Sequence, residues 1–401
     1  MNTITDRAPH DASVMLETPF HPRIAAANGL QSWYNWKGYV SAERLDQIEF
    51  EYFAIRNATA VFDICPMTKY RIEGPDAEAF LNRLFTRDVR KIRTHRVGYG
   101  VWCDDAGQVQ DDGTLFHLAP DVWRLCSQER CLDWLLWSAL GFDVRITDET
   151  AAVAGLAVQG PTSCATLQSM GLPGIETLKP FELRSYPFHD GELMVSRTGF
   201  TGDLGYELWT SAALALPLWD ALFAAGEQHL IRPIGTAALN IARIEAGFIM
   251  AGADFVPAEQ CIRHGRSRSP FELGLDWLVD FGKGPFTGRR ALLAEREKGS
   301  RYRFVRLDVD GNKPANNSFI FGAGQRKVVG TVTSAVWCPT AKSNVALASL
   351  DMPHGRPGDE LWAEIYYMRE LKWTRVMARA KVLEGPVFDP PRRRQTPAPR
   401  F

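Results

Sequence analysis

A strand, a Gly-Pro corner and a short helix occur twice in this chain, and that recurrence limits the folds open to it more than any other feature. In the first copy, residues 69–85 read as strand, then Gly74-Pro75, then a helix whose Ala77, Phe80, Leu81 and Leu84 form one apolar stripe. Pro75 suits a first helical position, and Asp76 and Glu78 complement the helix dipole. In the second copy, Ala154 to Val158 read as strand, Gly160-Pro161 as the corner, and Cys164, Leu167 and Met170 as the apolar side of the next helix. Strands follow each helix, and an acid comes late in each copy: Asp112 in DDGTLF and Glu207 in GYELW. The pattern predicts an α+β fold of repeated strand-helix-strand-strand units packed side by side. A two-fold relation between the copies would turn both acids toward one central cleft.

The stretch from Tyr99 to Phe116, YGVWCDDAGQVQDDGTLF, reads as a hairpin feeding a further strand, with polar turns at Asp104 to Gly107 and at Asp111 to Gly113. Asp111 and Asp112 are adjacent, and successive strand side chains point to opposite faces, so one can enter a cleft while the other stays in water. Both are equally readable as turn residues.

Ahead of this lies an aromatic segment, Trp33, Tyr34, Trp36 and Tyr39, that is either core or the wall of a pocket for a cationic or aromatic substrate. It leads into a helix-like run from Ser41 through Arg56, and further helices are predicted at Leu214 to Gly226 and Gly235 to Gly247. Beyond Gly288 the pattern turns to short strands at 303–309, 328–336, 344–350, 360–367 and 374–382, an all-β domain of barrel or jelly-roll type. The predicted division is a flexible lead-in at 1–18, a catalytic region of two related α+β subdomains at 19–286, the β-barrel domain at 287–385 and a disordered tail at 386–401.

A chain whose 46 Lys+Arg balance 47 Asp+Glu offers no global attraction to nucleic acid or an anionic membrane, which leaves a small-molecule partner as the expectation. Oligomeric state is not readable. Seven scattered cysteines without a Cys-x-x-Cys pair argue against a disulfide framework or a structural metal site. The opening residues lack a signal-peptide pattern and no run suits a membrane span, so a cytoplasmic location is expected.

RTGFTGDLGYELW (Arg197 to Trp209), ARIEAGF (from Ala242), VFDICPM (Val61 to Met67) and GTVTSAVWCPT (Gly330 to Thr340) together resemble the glycine-cleavage T-protein family of tetrahydrofolate-dependent enzymes. Within it, the opening TPF, Tyr34-Asn35, GPDAE and LAVQGP resemble the dimethylsulfoniopropionate demethylase branch. The resemblance implies a T-protein-like folate-binding fold around a central opening. Carried over by position, it implies Asp112 as the essential acid with Asp111 in reserve, Tyr99 beside it, and Glu207 as the pterin's carboxylate. Arg243 is implied on the folate-site helix. Trp33, Tyr34, Trp36 and Trp102 fit the walls of a methyl-donor site.

The expected activity is transfer of a methyl group from an O-, S- or N-methyl donor to N5 of tetrahydrofolate, giving 5-methyltetrahydrofolate. The alternatives are an aminomethyltransferase and a non-enzymatic folate-binding protein that assists iron-sulfur assembly. Leu239-Asn240 stands where the aminomethyltransferase has arginine-aspartate, and Lys283-Gly284-Pro285 lacks the cysteine of the iron-sulfur relatives.

Overall fold

The structure, a computed structural model, describes residues 15–263, 265–395 and 397. Of the predicted lead-in, 1–14 lie outside the described residues. Leu16 already pairs with Tyr39, and the Thr18 hydroxyl donates to Asp63 at 2.6 Å, so order begins before Thr18.

Two antiparallel sheets carry the first two thirds of the chain. One has five strands, in the order Arg96–Cys103, Val109–Ala119, Val122–Ser127, Thr68–Glu73, Arg145–Asp148. The other has six, in the order Leu183–Phe188, Gly191–Ser196, Gly205–Ser211, Val153–Gln159, Ala60–Asp63 and the short Arg232–Pro233, which joins parallel. Each predicted corner does the same work in its sheet. Gly74 and Gly160 both take positive φ, 137° and 115°, and a Cβ at either would run into a backbone carbonyl, that of Asp143 or Ala58. Only glycine fits both demands. The helices that follow, Ala77–Leu84 and Ser163–Ser169, cover the outer faces, the second together with Ala215–Gly226.

The inner faces pack on each other. Val97, Phe116 and Cys126 of the first sheet meet Ala157, Met194 and Trp209 of the second in one buried cluster, with Phe116 and Trp209 edge to face at 5.6 Å between centroids. Further along the same face of the five-stranded sheet, Val101, Cys103 and Val109 are buried instead under Ile249, Phe255, Leu275 and Phe286 of the connecting segment. Two dry clusters therefore flank a band across this face.

Three expectations are corrected. Asp111 to Gly113 is not a turn but the middle of strand Val109–Ala119, where a Cβ on Gly113 would meet the carbonyl of Cys126 closely. The helix expected from Ser41 is a strand, Tyr39–Arg44, paired with Ser32–Trp36 across a turn that puts Lys37 and Gly38 at positive φ. The helix begins only at Ile48 and runs to Asn57. The tail is not structureless through 386–395, where it packs back on the catalytic region by the Arg392 to Asp203 hydrogen bonds and the Arg56 to Phe388 contact. Of its remaining residues, 396 and 398–401 lie outside the described residues.

The C-terminal domain closes into a six-stranded barrel around Leu307, Ile320, Ala348, Leu361 and Ala363. Five strands are the predicted ones, and Phe319–Phe321 is the sixth. It is joined to the catalytic region through Arg243 of helix Thr236–Glu245, which pairs with Asp254 and donates to Ser334 of the barrel at 2.7 Å.

Candidate active site

Strand alternation places the site. On strand Val109–Ala119, Phe116, Thr114 and Asp112 share the inner face, and the paired positions Val97, Tyr99 and Val101 continue it on the neighbouring strand. On strand Gly205–Ser211, Trp209 and Glu207 share the face that looks back. Phe116 and Trp209 touch, so Asp112, four residues before Phe116, and Glu207, two residues before Trp209, stand about 13 and about 7 Å along their strands from that contact, on the two sheet faces turned toward each other. Burial pushes the thiol of Cys126, the register partner of Thr114, up to about 12; Arg124 and Lys69 oppose the rise and the Glu207 carboxylate adds to it.

Tyr99, Asp112, Thr114 and Glu207 each keep some accessible surface, while their neighbours Val97, Val101, Phe116 and Trp209 are buried. Loss of bulk water nevertheless dominates the chemistry of both acids. Burial pushes Asp112 up to about 6, against the hydrogen bond it accepts from Tyr99, and pushes Glu207 up to about 7, against the one it accepts from Thr198. A carboxylate that can be reached yet is poorly solvated lines a recess. Tyr99 is raised well above the usual phenol range by burial and by Asp112, so it stays protonated and donates to Oδ2 of Asp112 at 2.8 Å. Thr198 donates to Oε2 of Glu207 at 2.6 Å. Among the described residues, neither Oδ1 of Asp112 nor Oε1 of Glu207 accepts a hydrogen bond, so each acid offers one oxygen to a ligand.

Asp111 is separated from this work by the pleat. It is 1% exposed, turns to the outer face with its partner Trp102, and accepts from the backbone N–H of Glu129 at 2.8 Å and of Asp112 at 2.9 Å. A bulge between the Trp102 and Cys103 pairings lies beside it, the device by which strands re-aim side chains.

The aromatic residues expected to wall the donor site divide. Tyr34 and Trp36 share one face of their strand with rings stacked at 6.5 Å, and Trp36 continues to Phe62 at 5.7 Å on the inter-sheet side. Trp36 donates to Gln128 at 3.2 Å, and neighbouring Lys37 pairs with Glu129, so the hairpin tip is latched to the strand end beside Asp111. Trp33 points the other way, against His21 and the outer core. Trp102 is fully buried on the outer face against Phe85 at 5.2 Å, because it stands an odd number of residues from Tyr99. Neither belongs to the recess. Arg243, expected to hold the cofactor, is also corrected: it is buried, and its guanidinium is taken up by Asn240, Phe248 carbonyl, Asp254 and Ser334. Its place is at the junction with the barrel.

Sequence reasoning missed Trp277. Its ring lies 6.2 Å from that of Tyr99, tilted by 32°, and the residue is 66% exposed, a large apolar surface at the edge of the acid pair. A tryptophan held in water beside a half-buried tyrosine is the signal a structure gives and a loop sequence does not.

Matches to known proteins agree with this architecture. Residues 24–283 match the GCVT N-terminal domain model, and 303–389 match the glycine cleavage T-protein C-terminal barrel domain. The chain belongs to the glycine cleavage T-protein family. Members of that family are folate-dependent enzymes. The trimethylamine-oxide aldolase of Ruegeria pomeroyi is 34% identical over 358 residues, 85% of this chain; the chain spans 44% of that protein's length. An aminomethyltransferase of Caldanaerobacter subterraneus is 30% identical over 332 residues, 82% of this chain and 86% of that one. In fold, the chain is similar to the aminomethyltransferase T of Bartonella henselae, with a TM-score of 0.81 at 23% identity over 94% of this chain and 98% of that one. Among the described residues no helix is long and apolar enough to cross a membrane, and no group of acids, histidines and cysteines is arranged to hold a metal ion.

Proposed function

We propose that this T-protein family member is a tetrahydrofolate-dependent demethylase, taking a methyl group from a small O-, S- or N-methyl donor and producing 5-methyltetrahydrofolate. The observation that carries this reading is the convergence of Asp112 and Glu207 on one recess, each with an oxygen to spare. The donor set fits a reduced pterin: its ring N–H and exocyclic amine are two donors in one plane, and a poorly solvated carboxylate such as Glu207 accepts both with charge-assisted bonds. Bound tetrahydrofolate would supply N5 as the methyl acceptor.

The chain's own residues do the rest. Glu207 orients the ligand, and orientation alone supplies up to ~7 to 11 kcal/mol of a transfer barrier in good cases. Asp112, deprotonated above about 6, stabilises positive charge developing nearby and collects the proton released once the new N–C bond has formed and the donor's bond to carbon has broken. Tyr99 keeps that carboxylate aimed. The stacked faces of Tyr34 and Trp36 suit a sulfonium or ammonium head, at ~0.5 to 2 kcal/mol per contact, and such a donor leaves as a neutral molecule that needs no acid.

A second reading, an aminomethyltransferase forming the methylene adduct and ammonia, is favoured by the names of several relatives. Leu239-Asn240 in place of the arginine-aspartate pair speaks against it, since Asn240 here serves Arg243. Incubation with a panel of methyl donors and tetrahydrofolate, followed by mass analysis of the pterin, separates the two. A methyl product from at least one donor is expected, and a methylene product only from an aminomethylated carrier would overturn the proposal.

A further inference from the structure

The ten residues after the barrel, 386–395, run back over the loop that carries Thr198. Arg392 sends Nε and Nη2 to the two oxygens of buried Asp203 at 2.6 and 2.8 Å. Nη2 of Arg197, at the other end of the loop, donates to the carbonyl of Gln395, while its Nη1 donates to that of Leu178 at 2.8 Å. The Phe388 ring lies 3.8 Å from the Arg56 guanidinium, and its N–H reaches the Glu245 carbonyl at 3.2 Å. Arg56 in turn pairs with Glu245 at 2.6 Å and stands 3.6 Å from Asp203. Arg393 sits over Phe248 at 4.8 Å, and Phe248 stacks on Phe200 of the same loop at 5.5 Å.

The loop reads Arg197-Thr-Gly-Phe-Thr-Gly-Asp-Leu-Gly205; Gly199 and Gly205 pack so closely on the Gln159 side chain that a Cβ on either would collide with it, and Gly202 takes positive φ. The loop's one product at the site is the Thr198 hydroxyl on Glu207. Inside the catalytic region the loop is held by Gln159, which donates to the Thr198 carbonyl at 3.3 Å and accepts from Thr201 at 2.9 Å, and by Arg56 on the Thr201 carbonyl at 2.9 Å; Arg392 on Asp203 adds a forked grip from beyond the barrel.

We propose that Arg392 is a positioning residue for Glu207, acting through Asp203 and the 197–205 loop, so that the ligand grip of the recess is set by a segment beyond the barrel. The barrel match ends at residue 389, before Arg392. This inference rests on Glu207 being the ligand's carboxylate.

The test is tetrahydrofolate affinity, measured by titration calorimetry on the full-length chain, for Arg392→Ala, Arg392→Lys and, as a control on the reading itself, Glu207→Gln. Arg392→Ala should raise Kd about tenfold with a thermal midpoint close to wild type, since Asp203 keeps Arg56. Lysine, which reaches one carboxylate oxygen but cannot fork to two, should recover part of that loss. Should the alanine variant fail to fold, Arg392→Gln is read in its place. A weakened Glu207→Gln beside an unchanged Arg392→Ala, or Arg392→Gln in its place, overturns the tail's role alone; an unchanged Kd in Glu207→Gln removes the pterin assignment and this inference with it.

Discussion

The Tyr99 hydroxyl donates to Oδ2 of Asp112 at 2.8 Å, across paired strands and on the face that looks into the recess. That bond opposes the effect of burial on Asp112 and keeps its carboxylate available near neutral pH. Asp112→Asn should therefore bind tetrahydrofolate with little change and lose about 100-fold or more in kcat, the scale of one general-base contribution. Wild-type turnover in Asp112→Asn would remove the acid from the mechanism. Tyr99→Phe should move the acidic limb of the rate profile upward from about 6, because the carboxylate loses its donor.

Glu207 sets a pH dependence of binding. Its carboxyl stands at about 7 in the free recess, and donors on a ligand favour the charged form, so binding lowers that value. Affinity should then be full above pH 8 and fall as pH drops through about 7. Thr198 donates to it from its own sheet, and the opposite sheet carries Cys126, on the strand beside that of Asp112, and Asp112 with Tyr99; Asp112 titrates about a unit lower, and Asp112→Asn isolates the Glu207 step. Glu207→Gln should weaken binding by about 10- to 100-fold at pH 8 and flatten the pH curve. Titration calorimetry between pH 5.5 and 8.5 checks both.

The same acid costs stability. A carboxyl whose folded value lies above its ordinary 4.5 is held protonated by the fold, so the stability it contributes falls as pH rises from about 4.5 through about 7. Glu207→Gln should consequently be more stable than wild type by about 1 to 3 kcal/mol at pH 8 and nearly equal at pH 4, while being the poorer binder. Thermal or urea denaturation at the two pH values measures it, and a variant less stable at pH 8 would show that the recess solvates Glu207 well.

How far the sequence could be read follows from which signals are local. The Gly-Pro corners repeat because each glycine answers the same two demands, positive φ and a carbonyl too close for a Cβ, and that is visible as a dipeptide. Most barrel strands are visible by alternation. Only the pleat separates Asp112 from adjacent Asp111, and the same pleat excludes Trp102, three residues from Tyr99, from the face of the acid. The 41–56 run misled because its apolar spacing fits a helix while its first residues are claimed by Ser32–Trp36 through a turn. The tail and Trp277 were out of reach for a different reason. Arg392 meets Asp203 across 189 residues, and proline-rich composition reports only on local order.

The two neighbouring acids should separate cleanly by mutation. Asp111 accepts two backbone N–H groups, those of Glu129 and Asp112, from a position closed to water. Asp111→Ala strands both donors, and each unsatisfied buried group costs ~1 to 3 kcal/mol, so the variant should lose about 2 to 6 kcal/mol of stability. Asp112→Ala strands only the Tyr99 hydroxyl, which lies beside accessible space, and should lose about 1 kcal/mol or less. Denaturation midpoints at pH 8 give the comparison, with tetrahydrofolate affinity measured on whatever fraction of Asp111→Ala remains folded. Equal losses of stability in the two variants would mean that the strand does not divide them between the outer face and the recess.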